Sequence, residues 1–279
     1  MATCDEITSA AELRELLGYP SGRSVTKERN RLHALDREWL AISPFCVIAT
    51  ADADGACDAS PKGDPAGNLI HVLDDTTIAI AERPGNRRAD GYLNILANPH
   101  IGIISLIPGR NETLRINGRA RLLRDAPFFD DLTVKGHRPI LVLLVEIETI
   151  FFHCPKAFLR SQLWQPDSWQ PEALPSHASM VKCVQDTTET LEELEQHYSA
   201  ENYERLLYAA PANRVDGPPT RLEPREWAIL AVTATPRSRP WFRSRVHRPA
   251  RRLKTRRLET RPRQVRPRWL TRSARARPW

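Results

Sequence analysis

The chain has 279 residues, 41% of them hydrophobic and 27% charged, and a formal net charge of +7. That length accommodates one large domain or two small ones. The charge is lopsided: residues 236–279 hold 16 Arg and one Lys against a single Glu, so residues 1–235 carry −9, and a nucleic-acid role read from whole-chain charge is excluded for everything but the tail. Five cysteines (Cys4, Cys46, Cys57, Cys154, Cys183) are odd in number and show no CxxC or Cys/His ligand spacing, which argues against a disulfide framework or a zinc site. There is no signal-like apolar start and no apolar run of ~18 residues that could span a membrane, so the expectation is a cytoplasmic protein with reduced thiols.

In chain order, Ala11 to Gly18 reads as a short helix ended by glycine. Thr26 to Ile42 reads as a longer one, with Leu32, Leu35, Trp39 and Leu40 on one face. Phe45 to Thr50 is a compact apolar strand, Asp52 to Gly55 (DADG) a turn, and Ala56 to Ser60 the returning strand. Leu69 to Leu73 and Thr77 to Ala81 are two more strands around Asp74-Asp75, followed by a helix from about Arg87 to Ala97 that stops before Pro99. Ile101 to Ile107 is a strand, and Thr113 to Leu123 alternates in the strand manner. Ala126 to Leu132 suits one or two helical turns. Ile140 to Phe152 is a long strand in which Val145, Ile147, Thr149 and Phe151 alternate with Glu146 and Glu148. Pro155 to Leu163 suggests a helix with proline at its first position. Thr188 to Tyr198 and Asn202 to Tyr208 look helical. Many short strands with few internal helices indicate a mainly β, antiparallel barrel rather than a doubly wound sheet.

The stretch from Glu82 to Asp90 (ERPGNRRAD) joins a strand to a helix start and carries Arg83, Arg87 and Arg88. A helix start offers unpaired N–H groups and the positive end of its dipole. Arginine forks beside it suit a phosphate. The plainer reading is a solvated helix start with surface arginines. Ser60 to Asp64 (SPKGD) is open to two readings as well, an ordinary loop or a functional one carrying Lys62. Arg115, Arg119 and Arg121 fall on one face of their strand, to be solvated or to pair with acids across the sheet. His71, His100, His137 and His153 are mutually isolated and read as surface or capped residues, with no metal site. Cys57 and Cys154 read as small buried hydrophobes. No arrangement for nucleophilic catalysis and no general acid or base stands out.

The ordered segments ADADGACDASPKGDP, LDDTTIAIAERPGNRRADGYLNILANPHIGIISLIPG, ETLRINGRARL and HCPKAFLRSQLW resemble the pyridoxamine 5'-phosphate oxidase-like flavoproteins, and more narrowly a bacterial subgroup of FMN-binding proteins of unassigned activity. The likeness is good from Thr26 to Trp169 and weak to about Tyr208. It implies an FMN-binding split β-barrel, antiparallel and Greek-key-like, with flanking α-helices, forming a homodimer with FMN in clefts between subunits. It further implies that Asn86, Arg87 and Arg88 grip the FMN phosphate beside Arg83, and that the backbone of Ala81 and Glu82 runs along the flavin. Ser60, Lys62, Gly63 and Asp64 would lie at the flavin or ribityl side, with Lys62 favouring reduced flavin. Arg115, Asn117, Arg160 and Trp164 are positions from which relatives approach the cofactor, in some cases across the dimer. The implied activity is that of an FMN-dependent oxidoreductase of unknown substrate. The alternatives are a flavin carrier or sensor without turnover, or a relative that binds deazaflavin or heme. The substrate-phosphate residues of pyridoxamine phosphate oxidase itself have no evident counterpart at the C-terminal end.

The expected organisation is helices packing on the barrel (1–43), the FMN-binding barrel with C-terminal helices (44–210), a linker (211–235) and a disordered Arg/Pro-rich tail (236–279). The tail has three competing readings: a salt-sensitive polyphosphate binder, a disordered appendage for some partner, or a nonfunctional extension from a shifted reading frame in a GC-rich gene. The extreme Arg:Lys ratio favours the last.

Overall fold

The computed structural model describes residues 4–209, which fall within one compact unit. The expected linker and tail lie outside the described residues. In order, the elements are α1 (Ala10–Leu17), α2 (Gly22–Thr26), α3 (Ala34–Ile42), β1 (Phe45–Ala51), β2 (Cys57–Gly63), β3 (Ile70–Val72), β4 (Thr77–Ala81), α4 (Asp90–Ala97), β5 (His100–Leu106), β6 (Thr113–Leu123), β7 (Val142–His153), α5 (Lys156–Ser161), α6 (His177–Val184), α7 (Leu191–His197) and α8 (Ala200–Leu206). A 3-10 segment, Pro127–Leu132, precedes β7, and two more follow α5. The strands form one antiparallel sheet, ordered β2-β1-β5-β6-β7-β4-β3, the mainly β split-barrel architecture. Among the described residues no helix is long and apolar enough to cross a membrane.

Alternation along the strands builds the interior. Cys46 and Ile48 of β1, Ile78 and Ile80 of β4, Ile101 and Ile103 of β5, Leu114 and Ile116 of β6, and Leu143, Val145 and Ile150 of β7 meet Trp39 and Leu40 of α3 and Ile95 of α4. A second, smaller cluster on the other face of β4 and β7 joins Ala79, Ala81, Val142 and Leu144 to Phe129 and Leu132. Trp39 is buried with its polar edge satisfied: Nε1 donates to Ser105 Oγ (3.2 Å), which donates to Ser43 Oγ (2.8 Å), which donates to the Leu106 carbonyl (2.7 Å).

Five sequence expectations are corrected. The helix expected over Thr26–Ile42 is broken: α2 ends at Thr26 and α3 starts only at Ala34. Between them the chain pairs with the barrel, Arg29 exchanging backbone hydrogen bonds with Ile150 (3.1 and 2.7 Å) and Leu32 N donating to Asp75 O (2.7 Å). Asp36, fully buried, accepts the His33 N–H (2.7 Å) and the Arg29 guanidinium, fixing the new helix start. Leu35 consequently points out, 57% exposed. The alternation expected along β7 holds only to Ile147. The β6–β7 register slips at Asn117/Gly118, leaving Glu148 unpaired, and beyond that bulge Ile150 and Phe152 face the interior instead of Thr149 and Phe151. Gly118 makes the bulge feasible, since a Cβ there would sit 2.0 Å from the Glu146 carbonyl oxygen. The helix expected from Arg87 begins at Asp90, because Arg87 (φ 61°) and Ala89 (φ 57°) are left-handed. Cys57 and Cys154 are exposed; the buried thiol is Cys46. Helix α5 starts at Lys156, with Pro155 as its cap rather than its first residue.

Candidate functional site

The residues Ser60 to Gly63 are not loop but the end of an edge strand, paired with Ile48, Val47, Cys46 and Phe45 of β1. Proline is tolerated at such an edge because a missing donor costs no central ladder bond. Period-two alternation puts Asp58, Ser60 and Lys62 on one face of β2. Opposite them β4 ends at Ala81, and Glu82 N donates to the Leu141 carbonyl (2.9 Å), so the backbone leaves the sheet only at Arg83.

The turn from Arg83 to Ala89 then reverses the chain into α4. Two left-handed non-glycine residues in three positions cost roughly 1 kcal/mol or more each, strain of the kind that collects at ligand sites. Ala89 is the N-cap of α4 and supplies no side-chain acceptor, so the first amides of this helix are left uncapped. Arg88 N donates to Asn86 Oδ1 (3.1 Å), which orients the asparagine within the turn. Arg88 Nε is paired with Asp90 Oδ2 (2.7 Å) in an exposed ion pair. The other arginine at the tip, Arg87, lines the same space and forms no ion pair among the described residues. Gly91 lets α4 approach the sheet: a Cβ there would lie 3.0 Å from Asp58 Oδ2.

These elements enclose a cleft of about 540 Å³, within the ~300–1,000 Å³ of small-molecule sites. It brings together ten of the residues singled out in the sequence: Ser60, Lys62, Gly63, Asp64, Ala81, Glu82, Arg83, Asn86, Arg87 and Arg88. Two of its cations are committed to the protein. Lys62 Nζ lies 2.7 Å from Glu82 Oε2 and 4.8 Å from the centroid of the Tyr92 ring, so its charge is largely compensated. Arg83 Nε pairs with Asp64 Oδ2 (2.6 Å) and Nη2 donates to Leu132 O (2.9 Å), which makes it the anchor of the turn rather than a free donor. The Tyr92 hydroxyl donates to Glu82; burial, then the Glu82 charge, raise its pKa well above the ordinary phenol value. Burial likewise pushes the Cys46 thiol up to about 12, leaving it protonated behind β2.

Arg115, Asn117, Arg160 and Trp164 do not line this cleft within one chain. Asn117 lines a shallower hollow of about 490 Å³ with Cys57, His100, Gly102 and Glu148, sharing Asp58 and Ala59 with the main cleft. The Arg115 guanidinium lies over the Phe151 ring (5.1 Å). The Trp164 Nε1 donates to Arg110 O (2.7 Å), and Arg160 is exposed on α5. Of the neighbouring arginines, Arg121 pairs with Glu146 across the sheet (3.1 Å) and Arg119 contacts His100 Nε2 (3.1 Å). Sequence reasoning missed Tyr92, Leu207 and Tyr208, all of which line the cleft. Tyr92 was findable, since the first turn of a helix faces the same space as its N-terminus; the other two, more than a hundred residues downstream, carried no local signal.

Residues 32–154 match the family model described as pyridoxamine 5'-phosphate oxidase. Over that segment the chain is similar to the pyridoxamine 5'-phosphate oxidase family. Similar solved structures include HupZ of Group A Streptococcus (20% identity, covering 43% of this chain and 93% of that one, TM-score 0.36). A putative pyridoxamine 5'-phosphate oxidase of Lactobacillus delbrueckii is 22% identical over 44% of this chain and 95% of that one, TM-score 0.36. An F420 reductase is 16% identical over 42% and 94%, TM-score 0.30. No curated protein sequence matches the chain.

Proposed function

We propose that the cleft binds FMN, with the phosphate at the 86–90 turn and the ring running along β2 and the end of β4, and that the protein is an FMN-dependent oxidoreductase. The observation that carries this reading is the uncapped start of α4 flanked by Arg87 and Arg88, with Arg87 unpaired, at one end of a cleft of about 540 Å³. Open amides and a free guanidinium are the donor set a phosphate dianion requires. The other end offers the paired Lys62 and Glu82 and the Tyr92 hydroxyl, groups able to hydrogen-bond a polar ring edge. Bound flavin would supply the hydride or two-electron chemistry, and the protein would orient it and tune its electrostatics.

The working unit in this reading is a homodimer. The outer sheet face carries a row formed by Pro61, Val47, Ile104, Arg115 and Phe151, neighbours in register across five strands. Phe45 and Ile104 on this face are 36% and 42% exposed. A second copy packed there would bury that apolar surface and set Arg115 and Asn117 at the subunit boundary. The deciding experiment is the absorbance spectrum of the purified protein after incubation with FMN and desalting, together with its mass in solution. Flavin bands at one per chain in a dimer are expected. A Soret band, a deazaflavin spectrum or a colourless protein would overturn the FMN assignment.

A further inference from the structure

The buried carboxylate of Asp64 stands where three distant parts of the chain meet. Its side chain is 2% exposed. One oxygen, Oδ2, takes Arg83 Nε at 2.6 Å, and the other, Oδ1, takes the Tyr208 hydroxyl at 2.7 Å. Tyr208 follows α8, 144 residues away in sequence. Its ring is stacked against His137 (6.1 Å between centroids), with Lys135 Nζ 5.2 Å and the Arg83 guanidinium 6.0 Å from its centre. Among the described residues α8 buries no residue, and the small core of Ala178, Val181 and Leu194, with Tyr198 packed against it, is built by α6 and α7. Leu207 and Tyr208 nevertheless form part of the cleft wall.

We propose that Tyr208 is a positioning residue for the phosphate end of the cleft, acting through Asp64 on Arg83 and so on the arginine turn. This rests on the reading of that turn as a phosphate site. A buried carboxylate oxygen left without a donor is costly, so loss of the tyrosine hydroxyl draws a second Arg83 donor toward Asp64. The donor at hand is Nη2, now on Leu132 O. Arg83 is the first residue of the turn, and its rotation displaces Asn86, Arg87 and Arg88 from the uncapped amides of α4. The C-terminal segment thereby reports whether it is docked to the element that grips the anion.

The test compares FMN with riboflavin, which share the ring and ribityl chain and differ only in the phosphate. Dissociation constants of both are measured by fluorescence quenching for the full chain and for Tyr208→Phe, which keeps the ring. The expected result is about five- to tenfold weaker FMN binding with riboflavin unchanged, the scale of one charge-assisted hydrogen bond transmitted in part. Equal weakening of both ligands, or an unchanged FMN preference, overturns the positioning role. A parent protein that does not prefer FMN over riboflavin overturns the phosphate site itself. Amide hydrogen exchange of residues 83–89 in ligand-free Tyr208→Phe gives a separate reading: faster exchange supports the linkage, and unchanged protection refutes it.

Discussion

Replacing Arg87 and Arg88 together by Ala tests the central claim about this cleft. Arg87 has no competing acid, so the whole of its contact with a phosphate is gained on binding, roughly 1.5–3 kcal/mol. Arg88 must first loosen from Asp90, but that pair is 74% and 42% exposed on its two sides and is weak, so Arg88 adds a smaller share than Arg87. The uncapped amides of α4 survive the double substitution and retain part of the site. The expected loss is therefore ~3–4 kcal/mol, a factor of about 10²–10³ in Kd. Calorimetric titration with FMN measures it, with riboflavin as the phosphate-free control and a thermal melt to show that the fold persists. Both side chains are exposed, so the melt should not move by more than a degree or two. A double variant that binds FMN within about threefold of the parent would refute the reasoning, because no other free cation borders the turn among the described residues.

Gly118→Ala should destabilise severely, by ~3 kcal/mol or more, because the added methyl would meet the Glu146 carbonyl oxygen at 2.0 Å; Gly85→Ala, whose nearest atom is 3.9 Å away, should melt like the parent, and equal melting of the two would contradict the bulge geometry. The pKa of His153 is lowered from the ordinary 6.5, first by burial and then by the charges of Arg115 and Lys27, so the unfolded chain binds its proton more readily than the folded one. Its contribution to stability is complete above about pH 6.5 and is lost as the pH falls toward the folded value; urea midpoints from pH 7.5 to 5 should show that slope in the parent and a shallower one in His153→Gln. In the flavin-loaded protein, Glu82→Gln should raise the flavin midpoint potential by uncovering the Lys62 charge, and Lys62→Met should shift it less than an isolated lysine at that place would; a potentiometric titration that finds no change with Glu82→Gln would show the ion pair to be remote from the ring.

Much of the barrel was legible because its signals are local. Strand β6 runs over Thr113–Leu123 as its alternation indicates, and the DADG turn places Gly55 at φ 87° as positive φ demands. What escaped was decided by partners distant in sequence. The apolar spacing from Thr26 to Ile42 satisfies a helical face, but Arg29 has a strand of β7 to pair with and Asp36 has Arg29 to cap against, and those tertiary bonds outweigh propensity. The bulge opposite Gly118 shifts the register of β7 by one residue, and nothing in the run VLLVEIETIFFH itself marks Glu148 as the extra one. The arginine turn was visible as a motif, yet not the division of labour inside it. Arg83 differs from Arg87 because Asp64, whose two side-chain partners lie in separate segments, is buried next to it. Tyr208 could not have been found from the sequence, since its relevance is a contact spanning 144 residues.

The two borders of the sheet bear on how the molecule can and cannot associate. At one border the strand ending SPKG contains Pro61, which breaks the row of amide donors that an incoming strand would need; at the other, β3 is only three residues long. Neither offers a template for adding a foreign strand, a common route from a β protein to fibrils. Association is thus steered away from open-ended edge pairing and onto broad side-chain surfaces, where a contact can close on itself after two copies and stop.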